Sequence, residues 1–594
     1  MATTSKGKMK ATNDPILLCE RCHHEFLPYA AYPSVDFQAL RLTRIPSEED
    51  RWRNLAFIEE EEGEIARIDQ EVGRLYHLIH RLEATRRVLR RKIDERRSLL
   101  SSIRKIPLEI WGQIFTPVCF AQDYTLLVYL NESKPYIYSP TQQLSLVCSQ
   151  WRDNINMLPH LWSAISIDMH LLYIDIRPLL ELYLNNSGEY HLKVRIQYSG
   201  TYLSNDEYRE PVLTGHATVA LQVLMKEMSR FAELELHMNM PESWIYQPDF
   251  LHNTTFPYLR SFRNHTEPVP GMREDTSRFW EAIQTAPLLT DAFTLSVVDD
   301  FFMLPYWQLT RLALESIKVN HLVQLLGICP NLESILVQEL GKSRSTGEQL
   351  APVTVPCLQS LVIGLKERLM PNDLSPLFIA LTLPSLVNLE IVNNAKVDSG
   401  RVVEWTPSLN EMLRRSPCRL ERLALYFPQQ YFAYSFLHAI NEILQDAKHL
   451  KRLMIAIKGC PNRNQPAAAA LDLLMKLTVP SGVRNQTIPA PKLTHLALDV
   501  CDGVSFAREL SHAEILINMV ESRSRVELFL GGLEEEVRPL QYVHVSIVNP
   551  RLARRNGQVA EWHPFFRPPL RDRVLALEQM GSLCFLECVE KLDT

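Results

Sequence analysis

At 594 residues the chain is several times longer than a usual single domain, so it holds several structural units or a long repeat array. Hydrophobic residues at 46% and charged residues at 22% exclude a disordered chain, and a net charge of −6 excludes a global basic field for nucleic acid. The opening stretch MATTSKGKMKATNDP lacks the apolar core of a signal peptide, and no uninterrupted apolar run approaches about 18 residues, which predicts a protein of cytosol or nucleus without membrane insertion. Eleven irregularly spaced cysteines predict reduced thiols in such a compartment.

Residues 1–46 read as a flexible segment. Within it Cys19 and Cys22 form C-x-x-C, followed by His23 and His24. A structural zinc site needs a tetrahedral donor set, adjacent histidines seldom both reach one ion, and no second C-x-x-C follows. No metal or cofactor is therefore expected, and Cys19 with Cys22 stands as an incomplete pair.

Residues 47–105 read as one long helix. Ser47 with Asp50 has the capping form, acids crowd the first turns and arginines the last, as the helix dipole favours. Ile65, Ile68, Val72, Leu75, Ile79, Leu82, Leu89, Ile93, Leu100 and Ile103 follow alternating steps of three and four, interrupted by Arg86 and Arg96. So narrow a stripe predicts a coiled coil, with an acidic partner helix or a second copy; the alternative is a single amphipathic helix folded back on its own chain. Residues 86–105 hold nine basic and two acidic side chains. Without aromatic interleaving or a recognition motif they read as a solvated face and not as a nucleic-acid site.

Pro107 is expected to end that helix and start another, since proline pushes the residue before it out of helical geometry and suits a first helical turn. Ile110 and Ile114 then stack at i, i+4, with Ile106, Trp111 and Phe115 adding more apolar surface than one face needs. A helix so short requires packing partners. Further on, Leu144, Val147, Cys148 and Trp151 fall on one face of an expected second helix.

The segments IPLEIWGQIF and LSLVCSQWRD, followed by LPHLWSAISI, resemble the two halves of the F-box. Ile106, Pro107, Glu109, Ile110, Ile114 and Phe115 match the first half, and Leu144, Val147, Cys148 and Trp151 the second. The wider layout is similar to F-box proteins with leucine-rich tails of the type abundant in mushroom-forming fungi. The spacing between the halves exceeds the compact F-box spacing, and residues 131–140 read as an inserted loop. The resemblance implies a small all-α unit over residues 106–165 whose ten matching residues dock a Skp-type adaptor, and through it a cullin, in ubiquitin-dependent protein degradation. The alternative is an internal three-helix cap on the domain that follows.

From residue 166 to 594 the L-x-x-L-x-L pattern recurs: at 231, 308, 331, 357, 385, 419, 449, 492 and 540, with weaker copies near 258 and 290. Helix-like stretches intervene, as in HLVQLLGI, LNEMLRRS and FLHAINEILQDA. Short strand then helix, repeated, predicts an irregular leucine-rich-repeat solenoid, although the usual asparagine of each repeat is largely missing. A doubly wound α/β domain is the competing fold. Strand alternation places the residue between the last two leucines on the concave face: Ala313, Leu336, Val362, Glu390, Ala424, Met454, Ala497 and His544. With Arg311, Arg422, Arg452 and His495 beside them, they form the expected site for a protein substrate, unless residues 563–580 cover it.

The expected molecule is thus a multi-domain α+β protein with a coiled-coil helix, a small F-box and an α/β solenoid. No nucleophile elbow, phosphate loop or H-E-x-x-H motif appears. The F-box resemblance implies a non-catalytic substrate receptor of a ubiquitin ligase, and this is the leading expectation. A coiled-coil scaffold without ligase function is its rival.

Overall fold

The computed structural model describes residues 15–19, 23–27, 39–41, 45–131, 134–170, 172–198, 213–238, 255–265, 277–296, 304–341, 350–366, 374–392, 405–431, 434–458, 465–479, 488–501, 510–524, 538–548, 568–579 and 583–589. They divide into two units, residues 1–110 and 111–594.

In the first unit, strands Ile16–Cys19 and His24–Phe26 pair antiparallel, and helix Glu48–Leu99 runs for 52 residues. Ser47 is its N-cap: the hydroxyl oxygen accepts the Asp50 backbone N–H at 3.2 Å while the hydroxyl donates to the Asp50 carboxylate at 2.6 Å. The C-terminal end differs from expectation, because the helix stops at Leu99 and not at Pro107. Ser101 turns extended, its oxygen accepts the Ile103 N–H, and a 3₁₀ turn spans Ser102–Lys105. Serines at this position offer the backbone a competing local bond, and Arg104 covers a freed carbonyl by donating to Ser98 O at 2.9 Å.

Helix Leu108–Cys119 follows Pro107 and is amphipathic, with Trp111, Gly112, Phe115 and Cys119 buried. Beyond it, the expected all-α unit does not form. Strands Leu126–Asn131 and Lys134–Tyr138 pair antiparallel as a hairpin, and the first of these pairs parallel with strand Ala164–Asp168. The run of aliphatic and aromatic residues from Tyr124 to Leu130 favours a strand, and Leu126 and Val128 point into the core at 1% and 2% exposure. The segment read as an inserted loop is therefore an edge of the main sheet. The expected helix carrying Leu144 to Trp151 is also interrupted, between Pro140–Ser145 and Ser149–Asn156. Cys148 adopts an extended conformation and caps the second piece, its sulfur accepting the Trp151 N–H at 3.5 Å.

The second unit is built on a sheet of sixteen strands among the described residues. Each neighbouring pair is parallel except the hairpin at the edge. From Ala164 onward the strands of this sheet lie in chain order, so each repeat stacks on the one before. The sheet begins at Leu126, well ahead of the expected solenoid boundary near 166. Every expected repeat supplies a strand, and Leu192–Tyr198 and Leu583–Val589 extend the series at either end. One side of each strand faces the helices: Leu312 and Leu314, Ile335 and Val337, Leu361 and Ile363, Leu389 and Ile391 are all within 2% of full burial. The other side is more exposed in most strands, as in Arg311–Lys318, whereas strand Ala164–Asp168 is buried on both sides.

Three features lock repeat to repeat. From strand Ser261–Asn264 to strand His495–Cys501 of this sheet, a single carbonyl before each strand accepts two N–H groups of the next repeat, as Glu333 O does from Gln359 and Ser360, and Gln359 O from Val387 and Asn388. Without the usual asparagine, the residue before the first leucine bridges backward: Gln308 donates to Ala286 O and Leu289 O, Asn331 to Trp307 O, and Ser385 to Pro356 O. Arginines at helix ends complete the stack. Arg415 donates to the carbonyls of Phe378, Ile379 and Leu381, and the fully buried Arg523 to those of Leu477, Ala490 and Pro489. Arg415 meets the carbonyls that end helix Ser375–Ala380, and Arg523 meets the Leu477 carbonyl that ends helix Gln465–Leu477, each at a negative dipole end.

Candidate functional site

Two surfaces and one polar cluster carry the functional possibilities. On helix Leu108–Cys119, Ile110, Ile114 and Val118 lie one turn apart on the outward face, each 43–48% exposed. Pro107 and Glu109 are exposed and Ile106 half-buried. Phe115 points inward at 1% exposure, and its ring packs edge-on to Trp151 at 5.2 Å. Trp111 stands 5.5 Å from the same indole. Trp151 thus clamps the helix from within, while Leu144 is half-buried and Val147 and Cys148 sit exposed on the break between the two short helices. The ten residues matched to the F-box therefore divide between an outward set and an inward set, and Leu144, Val147, Cys148 and Trp151 do not share one helical face.

On the open side of the sheet, all eight residues expected between the leucines stand in one row. Ala313, Leu336, Val362, Glu390, Ala424, Met454, Ala497 and His544 pair successively from strand to strand. Arg311, Arg422, Arg452 and His495 occupy the adjacent row, in register with Ser334, Ser360, Asn388 and Tyr542. Leu336 and Met454 are 39% and 41% exposed. Arg422 reaches Glu390 at 3.3 Å and Arg311 reaches Asp291 at 2.9 Å, so part of the polar row is internally paired. Helix Pro568–Gln579 does not cover this face: Arg573 holds it to the helix layer through Glu521 at 2.8 Å and Asn518 at 2.6 Å.

The row expected from the sequence starts at Ala313 and so misses earlier members, among them Arg195, Glu235, Arg263 and Phe293, which continue the same register. The signal is present, because FAELELHM fits the repeat and the same rule places Glu235 between its two leucines. Glu235 is the hub of a cluster. Tyr124 OH donates to its Oε2 at 2.9 Å and Arg195 Nε to the same oxygen at 3.0 Å, with the guanidinium 4.4 Å over the Tyr124 ring. On the other oxygen, His237 Nε2 lies at 2.6 Å and His265 Nε2 at 3.6 Å, and the two imidazoles stack at 3.8 Å with 10° between planes.

Burial opposes ionisation of Glu235, but the bonds from His237, Arg195 and Tyr124 outweigh it and hold the carboxyl far below the usual carboxylate range. Burial, then the neighbouring His237, lowers His265 to about 4 and keeps it neutral. Burial, then the Glu235 charge, keeps the Tyr124 hydroxyl protonated. At the N-terminus, Cys22 and the side chain of Cys19 lie outside the described residues.

Fold and surfaces together define the class: an α/β repeat protein in which a long, mostly parallel sheet alternates with helices and keeps one face open, accompanied by a 52-residue helix. No family model matches this chain, and no curated protein matches it significantly. No helix among the described residues is long and apolar enough to cross a membrane.

Proposed function

We propose that the protein is a non-catalytic substrate receptor of a Skp-cullin-F-box ubiquitin ligase, docking the adaptor through helix Leu108–Cys119 and a protein substrate through the open face of the sheet. The observation that carries this reading is the outward stripe of Ile110, Ile114 and Val118, three large aliphatic side chains held in water on a helix whose opposite face already fills its own core. Aliphatic surface in that position is what a helical partner covers. The F-box-like spacing of Pro107, Glu109, Ile110 and Ile114 names the kind of partner.

The test is co-purification with a Skp-type adaptor. The parent chain should form a one-to-one complex, and Ile114→Asp with Val118→Asp should abolish it while leaving the thermal melt in place. An intact complex with the double variant overturns the docking surface. Trp151→Ala is unsuitable as a probe, because that ring packs against Trp111 and Phe115 and its loss unsettles the fold.

A second reading, a scaffold that self-associates, is favoured by the long helix. Ile65, Ile68, Val72, Ile79, Leu82, Leu89 and Ile93 are between 41% and 70% exposed on the seven-residue frame. Sedimentation of the full chain separates the readings: a dimer that dissociates on Ile79→Asp/Leu82→Asp and takes up no adaptor favours the scaffold.

A further inference from the structure

On the open face of the early repeats, three potential metal donors converge. Glu235 and His237 lie two residues apart on strand Phe231–Met238, so both project to the same side, and His265 follows strand Ser261–Asn264, which pairs directly beside it. Their nearest ligand atoms all fall within 4.8 Å of one another. We propose that Glu235, His237 and His265 bind a first-row divalent transition-metal ion, with zinc the simplest case, through one carboxylate oxygen and two imidazole nitrogens.

His265 leaves the hydrogen-bond network around Glu235 incomplete, and because the two imidazoles stack at 3.8 Å with 10° between planes, the more exposed His237 ring turns for both in-plane lone pairs to reach one ion. The His265 ring is partly exposed, yet its Nε2 is buried and has no hydrogen-bond partner. A buried ring nitrogen left without a hydrogen-bond partner is a position that a cation fills in the tautomer with its proton on Nδ1. Neutral imidazole is the form that coordinates, and an ionised carboxylate supplies the charge. The carboxylate is already oriented: Tyr124 and Arg195 hold Oε2, which leaves Oε1 to face both rings. Such outer contacts are what fix a metal-binding side chain in place. The Phe293 ring lies 4.3 Å from that of His265 and sets its plane.

The His237 ring nitrogen 2.6 Å from Oε1 donates the proton of that hydrogen bond to the carboxylate, so metal binding at this nitrogen takes the other tautomer, with the proton on Nδ1. A mixed imidazole and carboxylate set suits zinc, copper, nickel or iron over magnesium or calcium. With three protein ligands, a coordination position remains on the open face, where His237 is 37% exposed. A metal there would offer an acidic side chain of a bound protein a direct ligand position.

The experiment uses the full chain in a Cys19→Ser/Cys22→Ser background, which removes the thiol pair near the N-terminus as a competing donor set. Titration with zinc chloride alone should show about one equivalent bound, as a three-ligand site requires. Glu235→Gln and His265→Asn should each weaken that binding by at least about tenfold. His237→Asn, at the most exposed of the three, should do the same with its melting curve in chelator unchanged, so that a folding defect at the other two positions leaves a valid reading. Cobalt should give a visible d–d absorption without thiolate charge transfer. A background chain that binds no zinc, variants that bind as the parent does, or a cobalt spectrum dominated by thiolate overturns the proposal.

Discussion

Arg523 is the largest single commitment of charge to the core. Its guanidinium is fully buried and donates to three carbonyls, and burial lowers its pKa only to about 10, so it stays charged at neutral pH. Arg523→Met should destabilise the fold by about 2–4 kcal/mol, because three carbonyls lose a charged donor in a dry environment. Denaturant melts give the figure, and Arg523→Lys should recover little, since an ammonium lacks the planar fork that reaches three acceptors. Gly364 makes a different demand. A β-carbon there would lie 1.9 Å from Gln338 O, a backbone atom that cannot step aside. Gly364→Ala should therefore cost about 1–3 kcal/mol by overpacking, read as a lower midpoint in the same melts. Neither residue announces itself in the sequence: an arginine in a helix ending and a glycine in a strand look ordinary until the neighbouring repeat is in place. Trp151 is legible as an anchor from its spacing, but only packing against Trp111 and Phe115 shows that it faces inward.

Among the elements, helix Leu108–Cys119 and helix Glu48–Leu99 share a property that the described repeat helices lack, an aliphatic stripe left in water. Replacing such residues with polar ones should leave global stability within about 0.5 kcal/mol, as for other exposed sites, while changing association. Val118→Ser and Leu82→Gln are suitable cases, followed by chemical denaturation and sedimentation side by side. Ser47 and Pro107 mark the start of both helices in the sequence, because capping and proline geometry are local. The end of the first is not marked in the same way: it falls at Leu99 and not at Pro107, because the Ser101 oxygen and Arg104 compete for backbone groups only once the chain has turned. The β-hairpin of strands Leu126–Asn131 and Lys134–Tyr138 is unreadable for a related reason: an edge strand of a sheet is recognisable only when the strand it joins, Ala164–Asp168, is known to be there.

Across the whole molecule, the core holds several protonated thiols and phenols in dry surroundings. Burial raises Cys329 to about 12, and burial is also the first cause of the raised values of Tyr183, Tyr306, Cys119 and Cys418. In the unfolded chain these groups lose their protons at ordinary pH values for thiols and phenols, so between about 9 and 12 the unfolded state binds fewer protons than the native state. Stability is then fully present below the unfolded values and falls as pH rises through that window. Denaturant midpoints measured from pH 7 to 11 should stay level at first and then decline steeply above about 9. A long sheet whose strands follow chain order adds a second expectation, that unfolding need not be all-or-none, since each repeat pairs chiefly with its neighbours. Hydrogen exchange should show slowest opening in the central strands, such as Ser334–Gly341 and Ser360–Leu365, whose both edges are paired.

Whatever follows from spacing along one strand or helix is already settled by the order of the residues. The recurring leucines dictate which side of each strand is buried, and side-chain alternation then puts Ala313 through His544 on the opposite side, in one row. What stands next to what across repeats of unequal length is decided only when the chain has folded. That is why Arg195, Glu235, His237 and His265, drawn from three successive repeats, meet only in the folded chain, and why the segment after residue 120 joins the sheet instead of closing a helical unit. Spacing within an element is a local property of the backbone, whereas register between elements depends on loops whose length the repeat pattern does not constrain.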